Sequence, residues 1–252
     1  MKVSIITVVY NNADVIRSAI DSILSQAHPN IEYIIIDGAS TDGTVELVQG
    51  YGDKISKFVS ERDCGIYDAM NKGIALATGD IIGILNSDDF YADEQVLREV
   101  ESRFVADPAL EALYADLVYV DPTKSDRVVR YWHSGEYKEG SFERGWHPPH
   151  PTFFVRREVY EKYGAFDTRF KIAADYELML RLVHRYHIRV GYLPRVIVKM
   201  RLGGESNRSL ANILHANLES IHAWRANSLS FPWIGFWAKP LRKIPQYFKK
   251  AR

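Results

Sequence analysis

Residues 81 to 89 read Ile81-Ile82-Gly83-Ile84-Leu85-Asn86-Ser87-Asp88-Asp89, and the fold follows from how this stretch is read. Apolar residues without polar alternation describe a strand buried on both faces, and the sudden run of Asn, Ser and two Asp ends it. Such a strand needs parallel neighbours, and the upstream sequence supplies them. Val3 to Val9 reads as a first strand, followed by Val15, Ile16, Ala19, Ile20, Ile23 and Leu24 at helical spacing up to Pro29. Ile31 to Ile36 is a second strand closing on Asp37. Ser40 to Thr44 offers turn and cap residues for a helix over Val45 to Gln49, and Ile55 to Val59 is a third strand. Ile66, Tyr67, Met70, Ile74 and Ala77 mark a core-facing helix that Gly79 stops. The alternation is the signature of βαβ units and predicts an α/β fold.

Downstream, strands are expected at Ala112 to Val120 and Val128 to Trp132. A loop rich in Gly, Pro and His (Gly135 to Pro151) then precedes a strand at Thr152 to Val155, and Leu178, Met179, Leu182, Val183 and Tyr186 give another helical stripe. No repeat or linker divides the halves, so two lobes of one domain are predicted. The 252 residues, 46% hydrophobic and 25% charged, suffice for a well-packed core and exclude a disordered chain or a rod. Lys plus Arg and Asp plus Glu each number 32, which removes the electrostatic reason to expect a nucleic-acid partner. Charge is uneven along the chain. Lys239, Arg242, Lys243, Lys249, Lys250 and Arg252 form a basic end mixed with Phe231, Trp233, Phe236, Trp237, Tyr247 and Phe248. That mixture suits peripheral contact with an anionic membrane surface; a solvated terminal segment or a dimer contact is the alternative. Cys64 is the only cysteine, which excludes an internal disulfide and a cysteine-built zinc site and sets a reducing cytoplasm as the expectation. Met1 to Tyr10 reads as a strand and not as a signal peptide, and no apolar run approaches the ~18 residues needed to span a bilayer. The expected location is the cytoplasm, at the inner face of the cytoplasmic membrane if the tail docks there.

The candidate chemistry lies at strand ends. Asp88 and Asp89 follow a buried strand at the edge where open α/β sheets bind ligands, placed either to hold a hard cation against phosphate oxygens or to cap a solvated turn. Asp37 holds the equivalent position one unit earlier and can accept hydrogen bonds from a nucleoside or cap its own loop. The chain has no G-x-G-x-x-G, Walker loop or G-x-S-x-G elbow, which removes dinucleotide oxidoreductases, P-loop enzymes and typical α/β hydrolases. His147 and His150 flank Pro148-Pro149 and could donate to a diphosphate or complete a metal shell, or simply pack in a loop. Gly203-Gly204 would let backbone amides approach phosphate, or form a plain turn.

Taken in order, Thr7-Val8-Val9-Tyr10-Asn11-Asn12, Asp37-Gly38-Ala39-Ser40-Thr41-Asp42-Gly43-Thr44, Glu61 to Gly73 (ERDCGIYDAMNKG) and Asn86-Ser87-Asp88-Asp89 closely resemble glycosyltransferase family 2. The likeness is to the subgroup that makes bacterial exopolysaccharide and O-antigen, colanic-acid-type transferases included. It continues through His150-Pro151-Thr152-Phe153, Ala174-Asp175-Tyr176-Glu177 and Met200 to Ser206. The resemblance implies a GT-A fold, a Rossmann-like, mostly parallel sheet flanked by helices, with a nucleotide-binding half (1–90) and an acceptor half (91–228) ahead of the tail (229–252). It implies inversion at the anomeric carbon, a divalent metal (Mn²⁺ or Mg²⁺), a nucleotide-diphosphate sugar (UDP favoured over GDP or dTDP) and a glycan acceptor linked to lipid diphosphate. By the same resemblance Thr7, Val8, Tyr10, Asp37, Asp68, Asn71, Lys72 and Asp88 belong to the donor site, and Asp89 with Asp88 to the metal. Asp175 is the base, and His150, Gly203 and Gly204 are secondary positions. The chain departs from the family pattern twice, with Gly38 where a second acid stands and Ala174 where a glutamate does.

The chemistry supports these assignments separately. Departure of a diphosphate builds negative charge that a bound cation stabilises, and an inverting displacement needs a base on the opposite side of the sugar. Asp175 precedes an apolar helical stripe and can project from its first turn; a carboxylate placed there for the helix dipole is the competing explanation, and Glu177 is the next candidate base. Two other functions remain in play, a sugar-nucleotide pyrophosphorylase and a non-catalytic nucleotide-sugar or glycan-binding module. The first would carry a Gly-rich basic loop after Val9, and the second would not need Asp175.

Overall fold

The computed structural model describes residues 1–203 and 210–233. Four parallel strands, β1 (Val3–Val9), β2 (Ile31–Asp37), β3 (Lys57–Ser60) and β4 (Ile81–Ile84), form the first half of the sheet. They alternate with α1 (Ala13–Leu24), α2 (Thr44–Gln49) and α3 (Ile66–Leu76), as the apolar spacing predicts. Helix α1 buries Ile16, Ala19, Ile20 and Ile23, the stripe read from sequence. After β5 (Phe90–Tyr91) and α4 (Val96–Ala106), the chain adds β6 (Ala112–Val120), β7 (Val128–Trp132), β8 (Phe154–Arg156), α5 (Arg157–Tyr163), α6 (Ala174–Met179), β9 (Val190–Arg201) and α7 (Leu210–Ala226). Strand order is β3-β2-β1-β4-β8-β6-β9-β5, with β7 on β6. This is the mixed, largely parallel α/β architecture expected of a GT-A fold.

Two hydrophobic clusters cover the sheet. One holds α3, α6 and Trp224 of α7 against Ile6, Ile34, Ile82 and Tyr114; the other holds α1 and α4 against Ile5, Ile35 and Leu117. Tyr67, Met70 and Ile74 lie in the first cluster, as their helical spacing predicts. The third strand starts two residues later than expected. The expected strand at Thr152 to Val155 begins only at Phe154, because His150–Thr152 form a tight helical turn held by Thr152 Oγ1 on Pro149 O at 2.9 Å. The stripe from Leu178 to Tyr186 is α6 continuing into a wider turn of π geometry over Leu180–Arg185. Leu229 and Phe231, placed in the tail by sequence, pack on the first cluster, and the six basic tail residues lie outside the described residues.

Gly83 is where the two halves approach most closely. A Cβ there would sit 2.5 Å from Phe154 Cε1 and 2.8 Å from Cδ1, on a ring with 1% exposure and nowhere to retreat. Gly83→Ala is expected to lower stability by about 1–3 kcal/mol, the usual cost of overpacking. Urea denaturation checks this, and an unchanged midpoint would show that β4 and β8 separate freely.

Candidate active site

The register of β1, β2 and β3 sets the site. Val9 lies beside Asp37, and Asp37 beside Ser60, so the three loops that follow leave the sheet at one edge. Asp37 is fully buried there, and its carboxylate accepts hydrogen bonds from Ser40 N (3.0 Å), Ser40 Oγ and Ser60 Oγ (2.6 Å). It braces its own turn, and a nucleoside would share an acceptor already engaged. Tyr10 is 65% exposed and lies against Gly38, where an added Cβ would be 3.3 Å from its ring and 2.7 Å from Asp63 Oδ2. The acid absent at position 38 is therefore matched in space by Asp63, which the sequence reading passed over because the two are remote along the chain. Thr7 accepts Tyr33 Oη at 3.1 Å inside the core and Val8 is buried, so their side chains do not line the open edge and only their backbone could serve a donor.

The ERDCGIYDAMNKG segment is internally braced. Asp68 accepts Cys64 N at 3.0 Å, and Lys72 pairs with Glu61 at 2.7 Å and Asp68 at 3.7 Å. Glu61 raises the Lys72 ammonium above its ordinary range. Asn71 exchanges two hydrogen bonds with the backbone of Phe166, both at 2.9 Å, and so fixes the loop ahead of α6. In this structure the polar atoms of Asp68, Asn71 and Lys72 hold loops together.

Asp88 and Asp89 follow β4, whose chain continues with Leu85 N on Ile6 O at 3.0 Å. Asp89 is fully buried; its Oδ2 accepts from Asn86 Nδ2 at 3.3 Å, the backbone and charge of Arg201 also favour its ionised form, and its Oδ1 and Asn86 Oδ1 have no hydrogen-bond partner among the described residues. Burial first, and then the Asp88 charge, push the Asp89 carboxyl well above its ordinary range, and burial raises Asp88 as well. An uncompensated buried carboxylate costs several kcal/mol, so this pair is poised to take up a cation or a proton. Among the described residues no three His, Cys, Asp or Glu side chains converge as a metal cage. The donor set fits a hard divalent ion that completes its shell with diphosphate oxygens and water. Arg201 ties this loop down, donating to Asp88 O at 2.7 Å and Ser18 Oγ at 2.9 Å.

Asp175 lies in the first turn of α6 and is half-buried. Its Oδ1 accepts Tyr176 N at 2.8 Å and is 3.3 Å from Tyr67 Oη, whose proton goes to Ile172 O at 2.7 Å; Oδ2 has no hydrogen bond among the described residues. Burial, and then the charge on Asp175, hold the Tyr67 hydroxyl far above its ordinary range. The preceding loop is cradled by buried Glu219 of α7, which accepts Lys171 N (2.7 Å), Ile172 N (2.9 Å) and Ala173 N (2.8 Å). His150 is buried near Asp175, and burial lowers its imidazole below the usual range, so it is neutral at pH 7. His147 packs edge-on against Trp132 and Tyr176. Glu177 is withdrawn as an alternative base: it is 3% exposed and bound to Arg181 at 2.9 Å and Asn227 Nδ2 at 2.9 Å. Gly203 adopts a left-handed φ of 119° with open space around it, and Gly204 lies outside the described residues.

Comparison with known proteins identifies the family. The family model for glycosyl transferase family 2 matches residues 4–164. A PGL/p-HBAD biosynthesis glycosyltransferase of Mycobacterium bovis is 29% identical over 208 residues, covering 81% of this chain and 78% of its own. An uncharacterised glycosyltransferase of Mycobacterium tuberculosis is 31% identical over 186 residues, covering 71% of this chain and 68% of its own. Among solved structures, residues 1–349 of Staphylococcus aureus TarS in complex with UDP superpose with a TM-score of 0.65 at 18% identity, covering 88% of this chain and 68% of that one. The mannosyltransferase PcManGT of Pyrobaculum calidifontis, in complex with GDP-Man and Mn²⁺, gives 0.63 at 20% identity over 97% of this chain and 75% of that one. With the family model spanning well over half its length, the chain belongs to glycosyl transferase family 2.

Proposed function

We propose that this glycosyltransferase is an inverting, metal-dependent enzyme that moves a hexosyl or N-acetylhexosaminyl group from a nucleotide-diphosphate sugar to a lipid-diphosphate-linked glycan in surface polysaccharide synthesis. The observation that carries the reading is the contrast between two carboxylates: Asp89 is buried with an unpartnered oxygen, and Asp175 keeps one oxygen free at the start of α6. One suits a cation beside a leaving diphosphate, the other a proton from an incoming hydroxyl. That the structural neighbours were captured with UDP or with GDP-Man and Mn²⁺ supports a nucleotide-sugar donor and a metal. A pyrophosphorylase or a non-catalytic binding module would leave the free oxygen of Asp175 without a task.

In this mechanism the donor lies across the strand ends, with Asp37 shaping the nucleoside turn and Tyr10 and Asp63 bordering it. Asp89 and Asp88 would hold a divalent cation, which when bound would supply Lewis-acid stabilisation of the departing diphosphate. Asp175 Oδ2 takes the proton of the acceptor hydroxyl as its oxygen bonds to the anomeric carbon, while the bond from that carbon to the phosphate oxygen breaks on the opposite face. His150 is buried beside Asp175 and Tyr67 keeps its own proton, which leaves Asp175 with the open oxygen for the role.

Asp89→Ala should abolish metal-stimulated release of nucleoside diphosphate from a panel of nucleotide sugars and keep the fold, because a strand-end carboxylate contributes little packing. Full activity of this variant, or of wild type in excess chelator, would refute the metal role. Asp175→Asn keeps the shape and removes basicity; transfer should fall roughly 10²- to 10⁴-fold with donor affinity within a few fold. A loss confined to donor affinity would make Asp175 a binding residue.

Peripheral membrane contact is proposed for the basic end. Among the described residues no helix is long and apolar enough to cross a membrane, while Trp233 is 58%, Leu214 63% and Leu218 46% exposed. Because Leu229 and Phe231 belong to the packed body, the cut that isolates the basic end is removal of 234–252. The shortened chain should bind anionic vesicles less tightly and with weaker salt dependence. Unchanged cosedimentation with phosphatidylglycerol vesicles would end the docking idea.

A further inference from the structure

Asp116 of β6 is 1% exposed and takes no part in the site described above. Its Oδ1 accepts Ser134 N at 2.7 Å and Tyr192 Oη at 2.8 Å, and its Oδ2 accepts Tyr131 Oη and His133 Nδ1, the latter at 3.0 Å. Three of these donors come from the ends or edges of β7 and β9, and they are half-buried or exposed. Four donors satisfy the carboxylate, so its effect is felt in what it leaves on the donors' outer sides.

Each tyrosine hydroxyl has one proton, directed to Asp116, and keeps lone pairs for a further partner. Burial, reinforced by the Asp116 carboxylate, holds both hydroxyls well above their ordinary range, so they stay protonated and neutral. His133 Nδ1 lies 3.0 Å from Asp116 Oδ2, and in the neutral tautomer that gives Nδ1–H to Asp116 its Nε2 is an acceptor; the side chain is 44% exposed, and Nε2 has no hydrogen bond among the described residues. The Tyr192 ring also stacks on Tyr114 at 5.3 Å. The result is a half-exposed aromatic surface with three fixed acceptors. Phosphate and carboxylate ligands would meet lone pairs there, whereas a ring carrying several hydroxyl donors and an apolar C–H face is complementary.

This surface is tied to the base. The loop between β7 and β8 begins with His133 and Ser134, passes Trp146, whose Nε1 donates to Ser134 O at 2.7 Å, and ends at His150 beside Asp175. Ring contacts continue the link: Tyr114 to Trp146 at 5.5 Å, Trp146 to Phe142 at 5.5 Å, and Phe142 to Tyr176 at 6.2 Å, next in sequence to Asp175.

We propose that Tyr131, His133 and Tyr192, oriented by Asp116, form the subsite that reads the hydroxyl groups of a pyranose in the acceptor glycan. The assignment rests on the glycosyltransferase reading above and adds the residues that would select the acceptor. Octyl β-glucoside, octyl β-galactoside and octyl α-mannoside serve as probes, followed by saturation-transfer NMR on the full chain with Mg²⁺ and either UDP or GDP. Wild type should transfer saturation to the pyranose protons of at least one probe. Tyr131→Phe and Tyr192→Phe keep the rings, and His133→Ala removes a 44%-exposed side chain together with one of the four donors to Asp116; each should weaken glycoside binding about fivefold, the loss expected for one hydrogen bond, with nucleotide affinity within twofold. Unchanged glycoside affinity in all three variants, or no glycoside contact in wild type, overturns the subsite. Nucleotide and glycoside are read separately, so a wild type that binds glycoside and neither nucleotide overturns the donor reading alone.

Discussion

Parallel pairing of β1 with β2 and β4 constrains everything built on it. Strands that run the same way must send their following loops out at one edge, and the pairing of Val9 with Asp37 and of Ile6 with Ile84 brings three such loops together. The loops are held in conformations the chain would not choose alone. Asn11 and Ala39 have left-handed φ values of 47° and 64°, each costing about 1–3 kcal/mol for a non-glycine residue. The cost is offset locally: Asn11 N donates to Ser40 Oγ at 2.7 Å, Thr41 N to Asn11 Oδ1 at 2.8 Å, and Ser40 N to Asp37 Oδ2 at 3.0 Å. Asp37 is thus part of what makes the nucleotide edge rigid before any ligand arrives.

The second lobe reaches this edge by different means. Its catalytic candidate sits in the first turn of α6, whose six regular residues widen into π geometry beyond Met179. Asn71 clamps the approach to that helix from α3, and Glu219 clamps it from α7 by accepting three successive amides at the helix N-terminus. A carboxylate there meets both unsatisfied N–H groups and the positive end of the dipole. Trp224 Nε1 on Tyr176 Oη at 2.8 Å adds a third tie. Helix α7 therefore positions Asp175 without contacting any substrate.

The parts legible in the sequence are those whose signal is local. β-Branched runs marked β1, β2 and β4, and the stripe from Val15 to Leu24 marked α1, because each buries a continuous face. Strand β9 escaped notice because Pro194 interrupts it and most of its residues are only half-buried, which erases both the continuous and the alternating pattern. Helix α4 and helix α7 carry polar residues on wide outer faces, and α7 acts through Glu219, an acid that looks solvated until Lys171 to Ala173 are placed against it. Motif order singled out Asp37, Asp89 and Asp175, but Asp63 beside Gly38 and Asp116 beneath His133 are tertiary neighbours, with no spacing that announces them.

Asp89 and Asp116 show how burial alone fails to assign a role. Asp116 lies on β6 and Asp89 in the loop between β4 and β5, and both are carboxylates at 1% exposure or less. Asp116 is surrounded by four donors from its own chain, which compensate the desolvation of its carboxyl group. Asp89 has a long hydrogen bond from Asn86 and the nearby Arg201 in its favour but keeps an orphaned oxygen among the described residues, so its desolvation is less fully met. The first can only orient its donors, which makes the rings around it the surface that meets a ligand. The second keeps an oxygen with no hydrogen bond among the described residues, open to a partner from outside the polypeptide.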